Sequence, residues 1–207
     1  MTPIQICNIG LIAIGEAPVQ SFDDVGRVSA ECCKLVFRQC LEATLCDAPW
    51  NDASSSAALA AIDETEYRYQ LPHDLLLLRT VESPYYPWRR EGRELVTNAT
   101  PPLRITYTRT LWQPTAAGGD LPITPLLASA VGYRVAASVA LRVTGNPGSM
   151  QAAWQLYQAA IVKAGSVNAI ENSGFVAEVG SWIDPEMPDY WDAGPAHTPR
   201  WKYVVPE

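Results

Sequence analysis

The sequence is short of charge. Only 18% of its 207 residues are Asp, Glu, Lys or Arg, against about 25% in ordinary globular chains. The hydrophobic share is 48%. A folded monomer uses charge to cover its surface, so this shortage suggests surface covered by other subunits; a monomer coated with Ser, Thr and Gln is the plainer alternative. Cations are scarcer than anions, 15 Lys and Arg against 22 Asp and Glu, for a net charge of −7. A chain of this balance lacks the clustered cations that grip nucleic-acid phosphates. Long apolar runs are also missing: none approaches the roughly 20 residues of a membrane helix, and the N-terminus has no basic region followed by a signal-type core. These absences lead to the expectation of a soluble protein made in the cytoplasm.

Several kinds of chemistry lack their residues. The five cysteines are Cys7, Cys32, Cys33, Cys40 and Cys46, an odd number with four of them inside one helical stretch. That is no disulfide framework, and no C-x-x-C pair suggests zinc. They read as small apolar residues in a reducing compartment. The two histidines, His73 and His197, have no ligand partner at helical spacing. Gly118-Gly119 and Gly145 to Gly148 lack the Lys-Ser/Thr ending of a phosphate loop, and no G-x-S-x-G occurs. Cys7 or Cys46 with His73 could be drawn as a nucleophile pair, but any chain of this length offers such pairs. Asp63, Glu64 and Glu66 read as a solvated cluster rather than an acid/base pair. The expectation is no catalytic residue, no metal and no cofactor.

The periodicity that is present defines an α+β chain. Residues 5–14 form a short apolar helix stopped by Gly15. Ser21-Phe22-Asp23-Asp24 resembles a capping box, so a long helix is expected from there to about Ala48, with Pro49 behind it. On a plot of about 100° per residue, Val25, Val28, Cys32, Leu35, Val36, Ala43 and Cys46 make its core stripe. Arg27, Glu31, Lys34, Arg38 and Glu42 make its wet face. Phe37 and Leu41 fall on the shoulder between the two, where they belong either to a wider core stripe or to a contact with a neighbouring subunit.

The segment from Ser54 to Glu64 reads as a short helix or loop. Short strands follow at Tyr67–Leu71, Leu75–Glu82, Trp88–Glu91, Glu94–Thr97 and Leu103–Thr110, with Glu91-Gly92-Arg93-Glu94 as a tight turn. Gln113 to Pro122 is a loop. Thr124-Pro125 caps a helix over 125–143 that is apolar nearly all round. A last helix puts Met150, Ala153, Trp154, Tyr157, Ile161 and Ala164 on one face. From about Glu171 the periodicity gives way to prolines and aromatics.

These elements resemble one family, the tail tubular protein A, or head-to-tail adaptor, of T7-like short-tailed bacteriophages. The resemblance is carried by Ile6-Cys7-Asn8, Leu11, Gly15-Glu16, Pro18-Val19, Ser21 to Asp24 and Pro49-Trp50-Asn51. It continues through Tyr69 to Pro72 with Asp74, Glu91-Gly92-Arg93, Leu103 to Arg109, and the Trp154/Tyr157 spacing. It covers roughly residues 4 to 165. Asp52 departs from it, since the family usually has an aromatic there. The resemblance implies a helical bundle (1–66 and 113–170) with an inserted antiparallel β-subdomain (67–112), followed by an extended arm (171–207). It implies a virion protein in a ring of about twelve copies, between the capsid portal and the tail nozzle (tubular B-like) protein, with DNA passing through the channel. Candidate interface residues are Phe37 and Leu41, with Trp182, Tyr190, Trp191, Trp201 and Tyr203 in the arm, since aromatics are enriched at interface centres. The competing expectation is a small intracellular oligomeric binding module or an enzyme with an unrecognised site.

The charge balance yields a first prediction. The isolated protein should show no measurable duplex DNA binding at about 150 mM salt in an anisotropy titration. Binding at micromolar or tighter concentrations would contradict it.

Overall fold

Among the residues that the computed structural model describes (1–24, 26–63, 68–83, 86–112 and 119–171), the chain forms four α-helices and seven short β-strands, an α+β fold. Helix α1 (Pro3–Ala13) begins at a capping box. Thr2 Oγ1 accepts from the Gln5 amide, and Gln5 Oε1 accepts from the Thr2 amide. It ends before Gly15, whose φ of 79° only glycine adopts without strain.

Helix α2 (Val28–Asp47) starts later than the sequence suggests. The Asp24 carboxylate accepts from the amides of Gln20 and Ser21, and the Ser21 hydroxyl accepts from the Asp23 amide. These groups close a separate turn instead of capping a helix. Helix α3 (Pro125–Thr144) is capped as expected, Thr124 Oγ1 accepting from the Leu127 amide. Asp52, the departure from the family pattern, has a structural use here: its carboxylate accepts from both the amide and the hydroxyl of Thr124. Helix α4 (Pro147–Glu171) follows a turn at Gly145 and Asn146.

The core face of α2 is a correction. Ala30, Cys33, Phe37, Cys40, Leu41, Thr44 and Leu45 are buried, whereas Val28 and Leu35 are exposed, Leu35 to 81%. The true stripe is rotated by roughly 140° from the plotted one. Apolar residues occupy most of this helix's circumference, so periodicity alone admits both solutions. Packing selects the one carrying Phe37, which meets Phe22 at 6.3 Å and Trp112 at 6.0 Å between ring centroids.

Strand β1 (Ser54–Leu59) is a second correction, since a helix or loop was expected there. It pairs antiparallel with β7 (Leu103–Arg109), from Ser54 opposite Thr108 to Leu59 opposite Leu103. With β4 (Leu75–Val81) they make a sheet in the order β1-β7-β4. A second sheet has the order β2-β3-β6-β5, from Ala61–Asp63, Arg68–Gln70, Glu94–Thr97 and Trp88–Glu91 respectively. The β-region therefore begins at Ser54, not at residue 67. Gly92, at φ 59°, turns β5 into β6. Both sheets feed one small core around Tyr69, Leu95, Leu103, Ile105 and Tyr107.

The helices form a separate, larger core, in which α3 is central. Its mean hydropathy of 1.4 over an 18-residue window is high enough for a membrane span by length and composition, which corrects the reading that no such run exists. Its buried residues, among them Leu127, Val131, Val135 and Val139, pack inside the helical core. Helix α1 crosses α3 at two glycines. A Cβ on Gly10 would lie 2.1 Å from the Gly132 carbonyl oxygen, and one on Gly132 would lie 2.8 Å from the Ile6 oxygen. Backbone meets backbone there, leaving no flexible side chain to give way. Gly10→Ala is thus expected to cost about 3 kcal/mol or more in thermal or denaturant unfolding. In contrast, Gly165→Ala in α4, where nothing lies within 4 Å, is expected to stabilise by about 0.5–1 kcal/mol.

Candidate interaction surface

One face of α4 is locked to the bundle. Tyr157 donates from its hydroxyl to Asp47 Oδ2 at 2.6 Å and accepts from Arg134 Nη1 at 2.7 Å. Arg134 also pairs with Asp47. The last residue of α2 is thereby tied to the middle of α3 and to α4. The Arg134 guanidinium lies 5.2 Å from the centroid of the Tyr157 ring and 6.0 Å from that of Trp154. Burial works against its charge, but the hydrogen bond to Asp47 and the contact with Tyr157 outweigh this and raise its pKa. Burial and the hydrogen bond to Asp47 push the Tyr157 phenol up to about 12. Further along, Asn168 Nδ2 donates to the Pro49 carbonyl. The buried residues of α4 are Ala153, Tyr157, Ala160, Ala164 and Asn168.

The other side of α4 has no such anchors. Ala152, Leu156, Ala159, Lys163 and Ser166 recur at spacings of four and three and are exposed, Leu156 to 41%. Val162 beside them is 73% exposed. Within 25 residues only Lys163 and Glu171 carry charge. A solvent-facing helix normally has a charged outer face. This one buries one side and leaves the other with few charges.

A second uncovered apolar surface lies on the outer side of α2. Leu35, Gln39, Ala43 and Cys46 line an open groove of about 490 Å³, closed on one side by Leu76 of β4 and edged by Arg38 and Glu42. The edge charges satisfy each other, Arg38 Nε donating to Glu42 Oε1 at 2.9 Å. Leu35, Ala43 and Cys46, expected in the core stripe of this helix, line the groove instead. Sequence reasoning therefore found its apolar character and inverted its location. The signal in α4 was legible as a near absence of charge on every face.

The predicted interface residues divide into two groups. Phe37, 2% exposed, and Leu41, fully buried, belong to the core and cannot reach a neighbouring subunit. Trp182, Tyr190, Trp191, Trp201 and Tyr203 lie outside the described residues, as do His197, Glu64 and Glu66. The candidate nucleophiles are not brought into a site. Cys7 is fully buried in the helical core, and its hydrogen bond with Cys33, helped by burial, holds its thiol far above the ordinary range. Burial also raises the Cys46 thiol. No group of three or more His, Cys, Asp or Glu side chains able to hold a metal occurs among the described residues.

Residues that carry the family resemblance make specific local bonds. Asn8 clamps Val19, its amide donating to the Val19 carbonyl and its carbonyl accepting from the Val19 amide, each at 2.9 Å. Trp50 Nε1 donates to the Thr44 carbonyl, Tyr107 to Asp74, and Tyr69 to the Ala99 carbonyl. The β-region arginines are largely committed inside the chain. Arg68 bonds Glu91 and Glu94, Arg89 bonds Glu91, and Arg93 bonds the Pro72 carbonyl. Compared with models of known protein families and with curated proteins, the sequence gives no match.

The raised Tyr157 pKa gives a testable sign. Its phenol stays protonated in the folded chain while the unfolded chain ionises near 10.0. The contribution to stability is full below pH 10 and declines as pH rises from about 10 towards 12. Thermal melts of wild type and Tyr157→Phe should differ by about 1–2 kcal/mol near neutral pH, and the gap should close across that alkaline window.

Proposed function

We propose that this chain is a non-enzymatic structural subunit of a short-tailed bacteriophage particle, a head-to-tail adaptor that sits in a ring between the capsid portal and the tail nozzle. One observation carries the reading furthest. Helix α4 is fixed on its inner side by Asp47, Arg134 and Tyr157, yet presents an outer side whose one cation is Lys163. Surfaces of this kind are stable in water when another subunit covers them. The family resemblance supplies the identity of the assembly, and the α+β architecture with its β-region between two helical parts is compatible with it. The adaptor's partners would be further copies of itself, the portal and the nozzle protein, with DNA as a passing cargo that is not gripped.

Immunogold labelling of purified virions with antibodies against this chain tests the reading. Label is expected at the tail vertex alone, in particles that also contain portal and nozzle. If virions carry no label while the chain is abundant in the soluble fraction of infected cells, the adaptor reading is wrong.

A further inference from the structure

Helix α4 is held to the bundle differently from the other helices. Helix α2 buries Phe37, Leu41 and Leu45, and α3 buries Leu127, Val131, Val135 and Val139. Of the 25 residues of α4 only five are buried, and three of these are alanines, Ala153, Ala160 and Ala164. Ile161 is partly buried beside them. Alanine methyls remove little apolar area from water, so the hydrophobic effect holds this helix less firmly than the others. We propose that α4 is a hinged strap, latched shut by Tyr157, Asp47 and Arg134, that opens as a unit while α1, α2 and α3 stay folded together.

The latch is polar. The bonds of the Tyr157 hydroxyl to Asp47 and Arg134 sit at the middle of the helix, and Asn168 Nδ2 reaches the Pro49 carbonyl near its end, at 2.6 Å. Bonds of this kind are replaced by bonds to water when a helix lifts away, so each contributes modestly to docking. They fix where α4 docks more than how firmly.

The hinge end is loosely packed. Between α3 and α4 lies an open cavity of about 410 Å³, lined by Ala137 and Ser138 on one side and by Pro147, Met150, Gln151 and Trp154 on the other. Close-packed interiors leave no such space. Gly145 to Gly148 joins the two helices and is exposed throughout. Gly145 sits at φ 66°, the Asn146 amide donates to Thr144 Oγ1, and the Gly148 amide donates to Asn146 Oδ1. A change of φ and ψ at these two glycines swings α4 at the expense of bonds local to the turn.

Opening uncovers Asp47, Arg134 and the inner side of α4. A ligand that binds this released surface draws the balance towards the open form, which makes the latch a switch. The strap is a property of the single chain and does not depend on the adaptor reading.

The bundle carries its own reporters in Cys7 and Cys33, both fully buried. In the full chain, Ala160→Cys adds a thiol on the buried side of α4. An excess of thiol reagent at neutral pH labels each site as it opens, and peptide mass spectrometry locates the label. The added thiol is expected to react at least about tenfold faster than Cys7 and Cys33. Tyr157→Phe in the same chain should speed it about 5- to 30-fold further. Phe37→Leu loosens the bundle at Phe22 and Trp112, and should speed Cys7 and Cys33 while leaving the added thiol unchanged. Hydrogen exchange of the unsubstituted chain repeats the comparison in case Ala160→Cys disturbs the packing, with α4 amides exchanging ahead of those in α1 and α3. Equal opening of α4 and the bundle by both measurements, equal acceleration of both by Phe37→Leu, or no effect of Tyr157→Phe would each overturn the strap. Helix α4 would then belong to one cooperative bundle, and the adaptor reading would stand or fall, as before, on where the chain is found in the virion.

Discussion

The close crossing of α1 over α3 is the constraint on which the rest of the helical part depends. Gly10 faces the Gly132 carbonyl with no room for a Cβ, and Gly132 faces the Ile6 carbonyl. Helix α2 packs against both of these helices. Phe37, Leu41 and Leu45 fill the remaining volume with α1 and α3 residues such as Leu11, Val131 and Val135. The core is thin at the crossing and is filled elsewhere by small residues, Ala30, Cys33, Ala128 and Ala160 among them. Cysteine therefore serves here as a small apolar side chain, which accounts for its crowding into α2.

Two arginines then bind outlying parts to this bundle. Arg79 of β4 donates to the carbonyls of Leu45, Cys46 and Ala48 and to the Thr108 hydroxyl. Carbonyls at a helix C-terminus lack partners within the helix and carry partial negative charge, so a guanidinium satisfies both needs. Through this side chain the end of α2 is joined to the sheet. Arg134 does the equivalent for α4 through Asp47 and Tyr157. Both arginines meet at the last turn of α2 and the residue after it, which makes that helix end the junction between the helices, the sheet and the outer helix.

The low charge of the chain has its structural counterpart in where apolar surface remains uncovered. Leu35 and Val162 are more than 70% exposed and sit on helices whose other sides are buried. An isolated exposed leucine needs no explanation. A groove lined by several apolar residues on one element, with a 25-residue helix on another that holds only Lys163 and Glu171 as charges, is a different matter, because several uncovered apolar residues then lie together.

Local chemistry determined much of the chain from the sequence alone. Thr124 and Pro125 start α3 and Gly145 ends it; Gly15 stops α1; Gly92 turns β5 into β6; and the alternation of Leu103 to Tyr107 makes β7 a strand with one buried side. Each of these signals acts within a few residues, so it can be read without knowing what lies nearby in space. The scarcity of charge in α4, Lys163 and Glu171 alone, was equally legible. Tertiary structure decided the rest. Ser54 to Leu59 has no strand signal of its own and is held extended by pairing with β7, a partner distant in sequence. Likewise the side of α2 that faces inward was chosen by its packing, with Phe37 against Phe22 and Trp112, not by periodicity. A helix that is apolar around most of its circumference satisfies the hydrophobic effect in more than one rotation, and only the shape of the surface it packs against selects between them.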